Sequence, residues 1–374
     1  MQIKTIKAEV VDKNSRLLVK RIATPDGEFL NRKLSVSNFV YILEKKRLNY
    51  DKSLFSSPIQ TYHIRYDKIE KKWDLSDLNK IKIHAEGNRR ILFPYKQRNE
   101  KQVNALNWNE VERDVIEIAD KKVDYVPVVI PKNTELKEWR RKRKDFSSMI
   151  NNNQKIFPIF SSKHMVDKFY NLVKYEMNKK SIIGITSYEF IHPNEISNLS
   201  KVGYLNSLYK VGEECPLITY FGYPRILIKH SYVGGAFAFN CFAGDIFSER
   251  ACYPVTMSKE SINKMMERKP EDFYFYDPHQ KGFNKSIKQE SWYGIDLTKN
   301  LMSEIDVGEG LSGYDAIRWV NHGLQQKDLN VITDNLLLKK NIIRIINNYS
   351  RWSVFWQRNV EPTLDRKNKN LDEF

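Results

Sequence analysis

The chain has 374 residues, 62 basic and 46 acidic side chains, and a formal net charge of +16. With 41% hydrophobic residues it can build a core, which excludes wholesale disorder. No apolar run is long enough to span a membrane and the N-terminus lacks a signal-type pattern, so we predict a soluble cytoplasmic protein without membrane contact. The three cysteines are odd in number and lack CxxC spacing, which argues against a disulfide framework and against a zinc knuckle.

The positive charge is concentrated at the front of the chain. Residues 1–100 hold 22 basic and 12 acidic side chains, whereas residues 201–374 sum to only +2. A basic front indicates contact with a polyanion such as DNA or RNA. A lysine-rich surface without any such partner is the alternative.

Residues 1–120 are predicted to form a small basic α+β domain. A hairpin, a third strand and a capped helix come first, and three more strands follow. The predicted strands are Ile3–Val11, Leu17–Ile22, Glu28–Leu34, Gln60–Tyr66, Lys80–His84 and Arg90–Phe93, and the helix is Ser37–Lys46. The later strands interleave basic and aromatic residues, a pattern typical of nucleic-acid contact, and Arg89 and Arg90 are candidates for it. An ordinary exposed antiparallel face would look the same.

Residues 121–312 alternate apolar strands with helices, which indicates a parallel α/β sheet with right-handed crossovers. The predicted strands are Val126–Ile130, Ile156–Phe160, Ile182–Ile185, Leu217–Phe221 and Ala236–Phe239. The helices between them are Glu135–Met149, Lys163–Met177 and Glu195–Tyr209. Five strands fit an open parallel sheet, whereas a TIM-barrel-like domain would need eight. Residues 313–374 are predicted to form C-terminal helices, Gly313–Leu324 and Asn335–Tyr349, packed on this domain.

Five consecutive cations follow Trp139 within one predicted helix. They are Arg140, Arg141, Lys142, Arg143 and Lys144. Five consecutive helical residues surround the helix, so some of these side chains must meet something other than water. Phosphate groups of a nucleic acid are the predicted partner, with a solvated helix end as the alternative.

The stretch 216–251 is the predicted site. Its glycine-rich turns suggest a substrate pocket formed by Gly222, Tyr223, Gly234 and Gly235. Asp245 and Glu249 lie four residues apart; on a helix they would share a face and could act as acid and base or hold a divalent ion. In an extended segment they would not, and Asp245 could equally cap a helix.

Several common site signatures are missing from the sequence. There is no GxxxxGK[ST], GxGxxG, GxSxG or HExxH pattern, and we therefore expect no metal and no cofactor. The histidines nearest to apparent strand ends or loops are not spaced as metal ligands; they are His192, His230, His279 and His322.

Three short sequence patterns stand out: IIGIT from Ile182, LITYFGYP from Leu217 and the pair Gly244-Asp245. Their order of apolar residues, glycine, proline and a carboxylate resembles the late strands of the tRNA-guanine transglycosylase superfamily, which includes members that insert deazaguanines into DNA. The resemblance implies a (β/α)8 barrel that exchanges a base, with a carboxylate attacking the sugar and Asp245 as the nucleophile. The chain lacks the DSGGFQ-type segment and the zinc-binding cysteines of that family.

These observations predict a nucleic-acid-acting protein of viral or mobile-element origin, with a base-modifying, transglycosylase-like enzyme as the first hypothesis. The alternative is a non-enzymatic virion or assembly protein with a basic face. A regulator that binds nucleic acid without chemistry is a third hypothesis, although no helix-turn-helix is evident. The oligomeric state is left open.

Overall fold

The computed structural model describes residues 1–36, 57–67, 70–98, 100–186, 193–221, 235–248, 274–285 and 313–365. Its strands are β1 Thr5–Asp12, β2 Leu17–Thr24, β3 Gly27–Leu30, β4 Lys33–Leu34, β5 Ile59–Asp67, β6 Lys72–Asp74, β7 Ile91–Lys96, β8 Tyr125–Val129, β9 Lys155–Ser161, β10 Ile182–Thr186, β11 Leu217–Phe221, β12 Ile246–Ser248, β13 Tyr274–Asp277 and β14 Gly282–Lys285. Its helices are α1 Leu78–Gly87, α2 Glu100–Asn104, α3 Trp108–Ala119, α4 Leu136–Met149, α5 Val166–Asn178, α6 Pro193–Ser207, α7 Gly235–Asn240, α8 Gly313–Leu337, α9 Ile342–Asn347, α10 Ser350–Asn359 and α11 Glu361–Asp365. The predicted helix Ser37–Lys46 lies outside the described residues.

A six-stranded parallel sheet forms the centre of the protein, in the order β4-β12-β11-β10-β9-β8. Strands β8, β10 and β11 are buried at every position. Continuous apolar runs are what strands covered on both faces require. The predicted α/β class is therefore confirmed, with antiparallel strands before the sheet and helices after it.

The N-terminal strands β1, β2 and β3 form the predicted antiparallel sheet. The predicted third strand, Glu28–Leu34, is wrong as a single unit, because it is divided between β3, which pairs with β2, and β4, which pairs with β12. Arg32, with φ 62°, lies at the break. The expected boundary near residue 120 consequently cuts through one sheet, since Leu34 is in register with Phe247.

A second, smaller sheet has the order β6-β5-β7, in which β5 and β7 are parallel. A parallel bridge between Val36 and Gln60 joins it to the chain just after β4. The Val36 amide donates to the Ile59 carbonyl at 2.8 Å, and the Thr61 amide donates to the Val36 carbonyl at 2.9 Å. The described strands thus continue from the six-stranded sheet into β5 and β7.

Two predicted strands are helices. Lys80–His84 lies within α1, where Ile81 and Ala85 are buried four residues apart and Ile83 between them is 69% exposed. The apparent alternation therefore did not reflect a buried strand face. Ala236–Phe239 lies within α7, and because all four residues are buried their pattern has no periodicity that could separate helix from strand.

The C-terminal helices pack on the α/β part, as predicted. The indole of Trp352 on α10 is fully buried, donates to the Cys241 sulfur at 3.1 Å and meets the Phe237 ring edge-on. The predicted helix Asn335–Tyr349 is wrong as one unit, because α8 ends at Leu337 and α9 begins at Ile342. Among the described helices, none combines the length and apolarity needed to cross a membrane.

Candidate active site

Side chains from several strands meet at the carboxyl end of the sheet. Thr186, the last residue of β10, is in register with Phe221 of β11, and Phe221 is in register with Ser248 of β12. On the smaller sheet, His63 of β5 is in register with Tyr95 of β7. Carboxyl ends of parallel strands are where α/β proteins most often place their sites.

Tyr95 connects the two sheets. Its hydroxyl lies 3.1 Å from Thr186 Oγ1, and its ring stacks on Phe221 with centroids 4.6 Å apart and planes 22° apart. The side chain is 4% exposed, so the hydroxyl pair is removed from bulk water. A phenol held in this way can donate or accept a proton within the site.

His63 is the central titratable group of this layer. Its Nε2 lies 3.1 Å from Ser248 Oγ, and its ring meets the Tyr95 ring edge-on at 5.8 Å. Both His63 and Ser248 are buried, at 2% and 0% exposed. A histidine within hydrogen-bond reach of a hydroxyl is the basic unit of general acid–base and nucleophilic catalysis. We call His63, Tyr95, Thr186 and Ser248 the polar layer.

An aromatic floor lies directly beneath the polar layer. Phe93 stacks on Phe157 at 4.8 Å, and Phe157 contacts Phe221 at 5.7 Å. Gly184 allows this packing, because a Cβ there would lie 2.8 Å from Phe221 Cε2 and 2.9 Å from Ile159 Cγ1. The floor closes the site from below with apolar surface, which favours chemistry shielded from water.

The segment after β9 is fastened beside the polar layer. Ser162 Oγ donates to the buried Glu195 carboxylate at 2.5 Å, and Asn198 Nδ2 donates to the carbonyls of Ser162 and His164 at 2.8 and 2.9 Å. Burial lowers the pKa of His164, although hydrogen bonds to the carbonyls of Ser161 and Pro131 oppose the shift. These hydrogen bonds fix the backbone conformation of residues 161–164 beside the polar layer.

Asp245 lies at the opposite, amino end of the sheet. Its Oδ2 is 2.6 Å from Lys20 Nζ and accepts from the Ile218 amide at 2.8 Å, while Oδ1 accepts from Asn31 Nδ2 at 2.7 Å. Lys20 and Asp245 are 0% and 1% exposed. These are the contacts of a buried ion pair that joins the N-terminal sheet to the central sheet.

Residues Ile246–Ser248 between the two predicted catalytic carboxylates are a strand. The helical alternative, in which Asp245 and Glu249 share one face, is therefore wrong, and the extended alternative is the one observed. Glu249 follows Ser248 in the sequence and lies outside the described residues. Arg32 is also buried near Asp245; burial lowers the pKa of its guanidinium to about 10, and the Asp245 carboxylate opposes this shift.

The remaining predicted site residues are dispersed. Gly222, Tyr223 and Gly234 lie outside the described residues, and Gly235 is the first residue of α7. Arg89 is exposed and Arg90 is 7% exposed, and both precede β7 at its amino end. Of the histidines considered from sequence, His279 lies in the turn between β13 and β14, His322 is buried on α8, and His192 and His230 are outside the described ranges.

The cation run on α4 does surround the helix as predicted, and two members meet carboxylates of the protein. Arg143 Nε lies 2.8 Å from the buried Glu176 Oε1, and Lys142 Nζ lies 3.9 Å from Glu112. Arg140, Arg141 and Lys144 are exposed. None of the ion pairs among the described residues involves Arg140, Arg141 or Lys144, so these three remain available to an external anion.

Sequence reasoning missed the polar layer. The sequence places His63 within the predicted strand Gln60–Tyr66 but assigns no role to Thr186 or Ser248. The signal was present: a single polar residue closes the strands IIGIT and IFS, and a histidine sits within QTYHIRY. What the sequence lacked was the strand adjacency that brings these residues together.

Comparison with known proteins adds no relative. No protein-family model matches the chain, and no curated protein matches its sequence. The resemblance to the tRNA-guanine transglycosylase superfamily therefore stays a prediction.

Proposed function

We propose that the chain is a (β/α)8-barrel enzyme whose active site is the polar layer, and that it exchanges or modifies a base in nucleic acid. The observation that carries the proposal is the convergence of His63, Tyr95, Thr186 and Ser248 from four different strands. Catalytic groups contributed by the ends of several strands are characteristic of barrel enzymes. A packing role alone would not require four polar side chains in one buried layer.

The strand order supports closure of the barrel. Eight parallel strands follow one another in chain order, β4, β5, β7, β8, β9, β10, β11 and β12, with the Val36–Gln60 bridge between the first two. Strand β7 lies against β8, where Phe93 contacts Tyr125 at 5.1 Å. In a flat sheet β7 and β10 would then be about 14 Å apart, at about 4.8 Å per strand. The 3.1 Å contact between Tyr95 and Thr186 supports a sheet that curves back on itself.

His63 is the proposed proton-transfer group. The Ser248 hydroxyl, which lies within hydrogen-bond distance of His63 Nε2, could give a proton to the imidazole or accept one from it. The Tyr95 ring packs edge-to-face with the imidazole and helps to fix its position. Histidine is the side chain best suited to exchange protons near neutral pH. Removal of such a group typically slows an enzyme by about 10²–10⁴-fold.

Nucleic acid is the proposed substrate class because the chain carries a net charge of +16 and exposed cations on α4. Base exchange breaks the glycosidic bond to the outgoing base and forms one to the incoming base, and the resemblance to the transglycosylase superfamily implies that a carboxylate attacks the sugar between these two steps. Glu249, the residue after Ser248, is the proposed carboxylate. The amino-end position of Asp245 favours a structural role for that residue in this proposal.

The proposal is tested by incubating the purified protein with isotopically labelled guanine or deazaguanine and with tRNA, single-stranded DNA or duplex DNA. Mass spectrometry of the digested nucleosides then reports incorporation. We expect label in one nucleic acid for the wild type and loss of label for Glu249→Gln. Binding without any incorporation or base release would contradict the enzyme and favour a virion, assembly or regulatory protein.

A further inference from the structure

We infer that the outer surface formed by α4, α5 and α6 binds single-stranded nucleic acid through tyrosines flanked by cations. The residues of this surface, the tyrosine–cation face, are Arg140, Tyr170, Lys174, Tyr175, Lys179 and Lys201. It lies on the helices outside the sheet and is separate from the polar layer. The inference rests on the proposed function only in taking nucleic acid as the ligand.

One half of the face lies between α4 and α5. The Arg140 guanidinium lies 5.0 Å from the centroid of the Tyr175 ring, and Lys179 Nζ lies 5.1 Å from the same centroid. Arg140 and Lys179 are exposed and Tyr175 is half-buried. A half-buried ring that contacts two exposed cations is held in place by the fold and remains partly accessible to a ligand.

The other half lies between α5 and α6 and repeats this arrangement. Lys174 and Lys201 each place Nζ 5.4 Å from the centroid of the half-buried Tyr170 ring. Tyr170 and Tyr175 are both on α5, five residues apart, so they project toward different neighbouring helices. Each tyrosine thus contacts one cation from α5 or its C-terminal end and one cation from a neighbouring helix.

The surface carries an excess of cations, although Asp167 of α5 attracts Lys201. Helix α4 carries six cations and only two acidic residues. Glu176 of α5 is fully buried, where it accepts from Trp139 Nε1 at 2.9 Å and pairs with Arg143. Because Glu176 pairs with Arg143, it does not neutralise the exposed side chains of Arg140, Arg141 and Lys144.

A cleft continues the face at the amino end of the sheet. It has a volume of about 490 Å³ and is bounded by β1, by the starts of β9 and β10, and by the ends of α4 and α5. Its charged lining residues are Lys4, Arg143, Lys155, Lys179, Lys180 and Glu214. Because Lys179 belongs to both the face and the cleft, an extended anionic chain could follow one continuous basic path.

Single strands fit this chemistry better than duplexes. Base stacking on aromatic rings combined with a basic path is the usual mode of binding single strands, and it tolerates any sequence. In a duplex the base faces are already stacked on one another and cannot reach Tyr170 or Tyr175. When a base occupies the ring, the flanking cation can move to a neighbouring phosphate.

The test measures fluorescence anisotropy with a labelled oligothymidine of about 20 nucleotides and a duplex of equal length, over a series of salt concentrations. The charge variant is Arg140→Gln/Lys174→Gln/Lys179→Gln. A matched control removes three exposed lysines elsewhere, Lys13→Gln/Lys327→Gln/Lys340→Gln. The stacking variant is Tyr170→Leu/Tyr175→Leu.

We expect the charge variant to lose at least 10-fold in affinity and to reduce the log–log salt slope by about 2, since each single-strand phosphate contact adds about 0.7. The stacking variant should weaken binding with little change of slope, and the control should stay within about 2-fold of wild type after the same loss of net charge. Equal effects of the charge and control variants, tighter binding of the duplex, or no binding at low salt would overturn the inference. Binding and base exchange are measured separately on the wild type, so that binding without incorporation would contradict the proposed reaction and leave this face intact.

Discussion

Lys20 Nζ lies 2.6 Å from Asp245 Oδ2, and neither side chain is exposed to solvent. The contact joins the second strand of the chain to the residue that precedes the last strand of the central sheet, 225 positions later. Lys20 also donates to the Pro216 carbonyl at 2.9 Å. The N-terminal sheet is thereby fastened to the amino end of the central sheet, opposite the polar layer.

Replacing Lys20 by Met should destabilise the protein by about 3–5 kcal/mol, because the buried Asp245 carboxylate would lose the ammonium group that contacts it directly. Chemical denaturation followed by circular dichroism measures the change in the free energy of unfolding. The double variant Lys20→Met/Asp245→Leu removes both charges and should recover part of the loss. A single variant as stable as wild type would contradict the buried ion pair.

Gly184→Ala should destabilise the aromatic floor by about 1–3 kcal/mol, because the added Cβ would lie 2.8 Å from Phe221 and 2.9 Å from Ile159. Gly87→Ala is the matched control, since a Cβ at Gly87 meets nothing within 4 Å. It should be neutral or stabilise by up to about 1 kcal/mol. Thermal melting distinguishes the two, and equal melting temperatures would count against the packing described for Gly184.

Tyr95→Phe should reduce base exchange far more than it reduces stability. The stacking on Phe221 would be retained, so loss of the hydroxyl contact with Thr186 should cost only about 1 kcal/mol. Thr186→Ser, which keeps the hydroxyl, is the conservative control. Wild-type activity in Tyr95→Phe would remove this phenol from the proposed site.

His164 should make stability depend on pH between neutral and acid conditions. Burial lowers its pKa in the folded state, so the unfolded chain, with an ordinary histidine pKa near 6.5, binds the proton more readily. Stability is therefore present above about pH 6.5 and falls as the pH drops below it, by at most about 1.4 kcal/mol per pH unit.

The measurement for His164 compares the free energy of unfolding of wild type and His164→Gln at several values between pH 7.5 and 5. The wild-type curve should fall more steeply toward acid. Parallel curves would mean that His164 does not contribute to the pH dependence.

The α/β class could be predicted from sequence because strands such as β10 and β11 are short, mostly apolar and separated by helices of regular period. The strand predicted at Lys80–His84 is wrong because Ile83 is exposed, so that Ile81 and Ile83 do not lie on one buried face as the alternation suggested. Ala236–Phe239 misled because a fully buried run has no polar positions to reveal its period. Local pattern could not settle either segment.

The candidate site was less predictable than the fold. The sequence pattern predicts Asp245 as a site residue because it is a carboxylate that follows an apolar run. The strand that begins at the next residue, however, places Asp245 at the amino end of the sheet. His63 and Ser248 are 185 residues apart in the chain, and only the strand order brings them to 3.1 Å. A constellation assembled by tertiary contacts leaves no spacing in the sequence by which to recognise it.

The decisive measurement is incorporation of labelled guanine or deazaguanine into nucleic acid by wild type and by His63→Gln, with melting temperature as the check on folding. We expect incorporation by the wild type and a decrease of at least about 100-fold in a folded His63→Gln variant. Undiminished incorporation by that variant would contradict the polar layer as the active site. Absence of incorporation and of base release by the wild type would contradict the enzyme itself.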